Sequence, residues 1–203
     1  MTALPPVQVA VPSTPTPVVL GPLFDPGYEL KEGPIHLPLV LQIPSLNINA
    51  RVLGVGLTAL NAMDAPKGAI DDPVWHSAFW YRGSGIPGDP GTATIAGHVN
   101  DPLGRPQIFA DLEDLKPGDL IIVLYTLLNI KIHFSVDETI VYSTRESSDP
   151  AVLERIFGQG PVAGIEPQPA SDGLSYLTLI TCAGNIIDGQ FDHHTVVYAS
   201  RIP

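Results

Sequence analysis

One cysteine, two methionines and ten basic residues among 203 positions make this chain poor in sulfur and in positive charge. A single cysteine excludes an intramolecular disulfide framework and any CxxC-type metal site. Ten Lys and Arg against 21 Asp and Glu leave a formal net charge of -11, and the basic residues form no run. Nucleic-acid binding is excluded on that ground, because neutralising phosphates takes clustered cations. No stretch reaches 18 consecutive apolar residues, so no membrane-spanning helix is encoded. Residues 1–38 lack the basic start and apolar core of a signal peptide.

Proline (22) and glycine (19) are abundant instead, and 44% of the residues are hydrophobic. That mixture suits one domain of short strands joined by many turns. Nine of the 22 prolines fall within the first 38 residues, where missing amide donors favour extended chain over sheet or helix. Residues 1–37 therefore read as a Pro-rich linker or stalk, or as a strap across the domain, and residues 38–203 as the folded domain.

Strand-like alternation begins at about Pro38 with "LVLQIPSLNINARVLGVGL", around Ile43, Leu46, Ile48 and Val52. "HSAFWY", "GTATIAGHV", "DLIIVLY" and "NIKIHFSVDETIVYS" add further strands, and "LSYLTLITC" and "TVVYASRI" complete them. "PQIFADLEDL" gives one short helical turn. "SSDPAVLERIFGQG" predicts a helix capped by Ser147 or Asp149 and stopped at Gly158. The sum is a mainly β fold of about eight strands and two short helices. A closed or nearly closed barrel removes the exposed edges of such a set.

The lone thiol ends an apolar, β-branched run. Along that strand Cys182 shares a face with Tyr176, Thr178 and Ile180, whereas Leu177 and Leu179 point the other way, into the barrel. His98 ends "TATIAGHVN" in the same manner: Thr92, Thr94, Ala96 and His98 share the outer face, and Ala93 and Ile95 the inner one. Gly97 admits close backbone approach beside it. A strand-end thiol and a strand-end imidazole are the minimum equipment for nucleophilic acyl transfer, since a nearby imidazole raises the reactivity of a thiol that is mostly protonated at neutral pH.

"TLITC" ending one strand, "AGH" ending an earlier one and "VVYA" near the C-terminus resemble sortases, the cell-surface cysteine transpeptidases of mostly Gram-positive bacteria. "IPSLNINARVLGVGL" is similar to that family's opening strands. "WYRGSGIPGDPGTATIAGHVNDPLGRPQIFADLEDLKPGDLIIV" is similar to its central stretch, above all in class F-like and class E-like members. The likeness runs in order over about residues 38–202. It implies an eight-stranded sortase-type β-barrel in which Cys182 forms a thioester acyl-enzyme and His98 is the family histidine. It implies as partners a sorting-signal peptide of surface proteins and an amine acceptor, of the cell-wall or pilin kind, and it implies no cofactor. It also implies a place at the extracellular face of the cell membrane, with an anchor N-terminal to this sequence as the only membrane contact.

The chain departs from the pattern at the third catalytic position. Where many sortases carry an arginine five residues before the small residue of the last strand core, "FDHHTVVYA" places His194. Three arrangements stay open: His194 replaces the arginine toward a developing oxyanion, an arginine such as Arg105 or Arg201 reaches in, or catalysis is weakened. Adjacent strand residues diverge, so His193 and His194 do not ligate one ion, and no metal site is expected. Candidate substrate contacts are Thr181, Ile180, Ala96 and Asn100, with Ile165, Pro167 and Pro169 in the loop that precedes the cysteine strand.

Overall fold

A computed structural model describes residues 33–59, 62–159 and 169–203. The Pro-rich segment up to residue 32, and Ile165 and Pro167, lie outside the described residues. The strands are β1 (Ile35–Ile43), β2 (Ile48–Val55), β3 (Ala78–Tyr81), β4 (Gly91–Gly97), β5 (Leu120–Tyr125), β6 (Ile130–Ser143), β7 (Ser175–Ile187) and β8 (Gln190–Ile202). They close in the order β1-β2-β3-β4-β7-β8-β6-β5, with β1 hydrogen-bonded to β5. This is the expected eight-stranded barrel. Two neighbouring pairs, β2 with β3 and β4 with β7, are parallel. The second pairing matters most. A parallel pair needs a long crossover, so β4 and β7 meet only after β5, β6 and the helix have been laid down between them in sequence.

Period-2 alternation sorts the side chains. Leu41, Ile43, Val52, Trp80, Ala93, Ile95, Phe134, Leu177, Leu179 and Val197 fill the barrel interior. Two core aromatics find carbonyls for their polar ends: Trp80 Nε1 donates to Gly85 O at 3.0 Å, and Tyr125 Oη to Pro87 O at 2.9 Å. The one α-helix among the described residues, α1 (Pro150–Phe157), starts at Asp149, whose side chain accepts from Ala151 N, and ends at Gly158 with φ 67°. Its buried Ile156 packs on Val196 and Tyr198 outside the barrel. The other helical segment expected, Leu112–Asp114, is a single 3-10 turn.

Two boundaries differ from the sequence reading, each for a local reason. β1 begins at Ile35 rather than near Pro38, because the chain passes the proline by a register irregularity between His36 and Val40. A proline cannot donate to the ladder, and an irregularity absorbs the missing bond. β7 does not stop at Cys182. The pairing slips between Ala183 and Ile186, with Gly184 at φ 78°, and then resumes to Ile187 before a tight turn into β8. The cysteine therefore sits just before a bulge in a long hairpin, a position from which bulged strands re-aim side chains.

Gly97, next to the expected histidine, is needed for space. A Cβ there would lie 2.5 Å from Cδ2 of the fully buried Phe109. Gly97→Ala is expected to cost about 1–3 kcal/mol of stability through overpacking. The check is a lower urea midpoint at unchanged slope.

Candidate active site

Strand register brings the candidate residues side by side. β4 and β7 run in parallel register up to Ala96 opposite Ile180. Two residues further on, on the same outward face, come His98 and Cys182. The intervening Thr181 donates its hydroxyl to Gly97 O at 2.8 Å and so ties the two strand ends together. On the other flank, β8 pairs antiparallel with β7, and His194 stands directly opposite Cys182. Opposed residues share a face with Cβ atoms about 5 Å apart. Sulfur 182 is thus flanked by an imidazole on each neighbouring strand.

All three side chains line one groove of about 590 Å³, with Lys67, Trp75, Asn100, Asp101, Ile186 and Phe191 among its walls. One wall is the segment between β2 and β3. It lies on the outside of the barrel through Met63, Ala65 and Val74, packed against the buried Leu53, Val55 and Phe79. Trp75, almost fully buried, donates Nε1 to Ala69 O at 2.9 Å and packs its ring 4.7 Å from that of His98. The opposite edge is held by Asp101, which accepts from the backbone N–H groups of Leu103 and Arg105 and from the Arg105 guanidinium.

His98 Nε2 lies 2.8 Å from Pro66 O. A carbonyl only accepts, so Nε2 carries the proton and Nδ1 of the neutral ring holds the free lone pair. Phe79 meets the same ring edge-on at 5.2 Å. Burial holds the His98 imidazole below its ordinary range; the Pro66 carbonyl opposes this and the Lys67 charge adds to it. Cys182 is open to solvent in the groove, yet the protein around it still pushes its thiol up, with Lys67 pulling the other way. At neutral pH the pair rests as thiol and neutral imidazole.

His194 is anchored from behind. Its Nδ1 is 3.0 Å from Ser147 Oγ, whose own proton goes to Thr144 O at 3.1 Å. Ser147 Oγ thus bridges the Thr144 carbonyl and the His194 ring and fixes the orientation of that imidazole. Burial, and after it the charge of His193, hold this imidazole below its ordinary range. Asp192 is occupied elsewhere: it accepts from His193 Nδ1 and Asn185 N, both at 2.7 Å.

The other sequence candidates separate. Asn100 lines the groove. Thr181 is buried and committed to Gly97. Ile180 packs beside Ile156, Val196 and Tyr198, and Ala96 against Leu53, Val55 and Phe79, so neither reaches the groove wall. Pro169 borders a separate pocket with Tyr176 and Asp172. Neither arginine considered for the third position lines the groove: Arg105 is shared between Asp101 and Asp71, and Arg201 donates to Gly88 O at 2.7 Å. Sequence reasoning missed Lys67, Trp75 and Ser147. The only signal for them was proximity to a Pro-Lys-Gly turn and to the start of α1.

The family model described as Sortase domain matches residues 41–202. The chain belongs to the sortase family. Among curated proteins none matches its sequence. Sortase folds among solved structures are similar to it at low identity. Sortase A from Corynebacterium diphtheriae superposes with a TM-score of 0.56 at 21% identity, over 85% of this chain and 62% of that one. Sortase C1 from Streptococcus agalactiae gives 0.52 at 23%, over 81% and 66%. A Clostridium perfringens sortase D5 transpeptidase gives 0.52 at 16%, over 81% and 78%. The chain thus spans 62% of the length of the Corynebacterium protein. In this sortase barrel the position on β8 facing the cysteine holds His194, as the sequence indicated.

Proposed function

We propose that this sortase is a cysteine transpeptidase. The observation that carries the reading is the register that seats His98, Cys182 and His194 on three adjacent strands over one groove. Sulfur 182, once deprotonated, adds to a backbone carbonyl of an extended peptide lying in the groove. His98 Nδ1 takes up the thiol proton and gives it to the leaving amine, which yields a thioester on Cys182. An incoming amine, deprotonated by the same nitrogen, then attacks the thioester and forms a new amide bond. Thr181 and Pro66 act only through position, by fixing the strand ends and the imidazole ring.

The substrates that fit are a sorting-signal peptide of a surface protein and an amine from a cell-wall or pilin-like acceptor. This agrees with a similar structure described as the pilus-related Sortase C of Group B Streptococcus. The site of action that follows from this reading is the outer face of the cell membrane. No helix among the described residues is long and apolar enough to cross a membrane.

Product analysis tests the assignment. Fluorogenic sorting-signal peptides are incubated with the protein, with and without an oligoglycine or a lysine-bearing peptide. Amine-dependent appearance of a ligated product is expected. Cleavage to the free acid alone, unaffected by amine, makes the protein a hydrolase; no Cys182-dependent turnover with any peptide leaves a binding module.

A further inference from the structure

The groove holds a positive charge that the steps above leave unused. Lys67 lines it together with Cys182, His98 and His194, and among the described residues no arginine does so. The Lys67 ammonium is free of any carboxylate partner among the described residues, unlike Arg105 and Arg155, which are both ion-paired. Its side chain is exposed, and its chain neighbours make the contacts that place it. Pro66, just before it, is bound through its carbonyl to His98. Gly68, just after it, lies so close to Asp72 that a Cβ there would come within 2.4 Å of the carboxyl carbon. The backbone is therefore fixed beside the imidazole, and a flexible four-carbon stem carries the charge into the groove.

We propose that Lys67 is the charge-stabilising catalytic residue of this site, its ammonium meeting the oxyanion formed when sulfur 182 adds to an acyl carbon. The inference rests on the acyl-transfer reading above. In the addition step the thiolate lone pair becomes the C–S bond while the carbonyl π pair moves onto oxygen, so one negative charge travels from sulfur to oxygen. Collapse of the adduct re-forms C=O and breaks the bond to the leaving group, which takes its proton from His98 when it is an amine. A cation able to face both sulfur and oxygen stabilises the charge throughout its path. His194, whose imidazole is held below its ordinary range by burial, brings no net charge to the groove at neutral pH. The field of Lys67 already reaches both partners, lowering the Cys182 thiol and the His98 imidazole alike.

The test uses probes that need no sorting signal. Acylation of Cys182 by p-nitrophenyl acetate is followed as the nitrophenolate burst in the parent, Lys67→Met and Lys67→Arg proteins. Alkylation by anionic iodoacetate and by neutral iodoacetamide is measured in parallel. Lys67→Met is expected to slow the burst by about 10- to 100-fold, and to lower the iodoacetate-to-iodoacetamide rate ratio by about threefold or more. Lys67→Arg should restore both to within about threefold of the parent, since it keeps the charge. A parental burst rate or an unchanged ratio in Lys67→Met overturns the proposal, as does absence of a Cys182-dependent burst in the parent. Failure to ligate sorting peptides beside a Lys67-dependent burst would overturn the transpeptidase reading and leave this one standing.

Discussion

The Cys182→Ala variant is expected to fold as the parent does and to lose acyl transfer to sorting peptides by a factor on the order of 10⁴ or more. Both halves follow from where the sulfur sits. It is exposed in the groove and belongs to none of the hydrophobic clusters, so its deletion costs little stability, within about 0.5 kcal/mol. No second thiol exists in the chain to take over. The measurement is initial-rate kinetics on a fluorogenic peptide, with thermal unfolding as the control. Activity within tenfold of the parent would remove Cys182 from the mechanism.

The second large effect belongs to His98. His98→Gln keeps a donor for Pro66 O but lacks a titratable nitrogen, and is expected to lower kcat/KM by about 10²- to 10⁴-fold. The pH profile carries more information than the size of the loss. In the parent, burial depresses the imidazole and raises the thiol, so the two pKa values move apart. Below the His98 value both groups are protonated and no thiolate forms; above the Cys182 value both are deprotonated and the leaving amine has no acid. Between them the charged pair is a small, nearly constant fraction of the protein, so the rate forms a broad plateau. That plateau begins on the acid side of about 6.5 and extends past about 8.5. His98→Gln leaves only the thiol to titrate, and its residual rate should climb with pH across the whole plateau. A variant profile that stays flat there would show that His98 does not exchange the proton.

The barrel was legible in the sequence because its strands alternate: Leu177 and Leu179 against Thr178 and Cys182, and Ala93 and Ile95 against Thr94 and Ala96, separate inside from outside without help from distant residues. The pair His98 and Cys182 was legible for the same reason, each lying in phase with an outward face. Parts of the site made by loops were not. Lys67 and Trp75 belong to a segment without periodicity, whose docking depends on Met63, Ala65 and Val74 meeting an outer barrel face assembled from three strands. Ser147 reaches His194 from 47 residues away, a contact that only the β6–β8 pairing creates. Thr181 was expected to touch substrate, whereas its hydroxyl is committed to Gly97; alternation gives the side of a strand but not the partner of a hydroxyl. The outward residues Ile180 and Ala96 were in phase with the site yet lie under α1 and the β2–β3 segment, which only tertiary packing reveals.

Covalent chemistry at sulfur 182 is what joins fold to function here, and intact-mass spectrometry during turnover of a sorting-signal peptide reads it directly. A single adduct is expected, equal to the N-terminal cleavage fragment less one water, mapping to Cys182 and released by hydroxylamine. Turnover without any such adduct under single-turnover conditions, or an adduct on another residue, would contradict it.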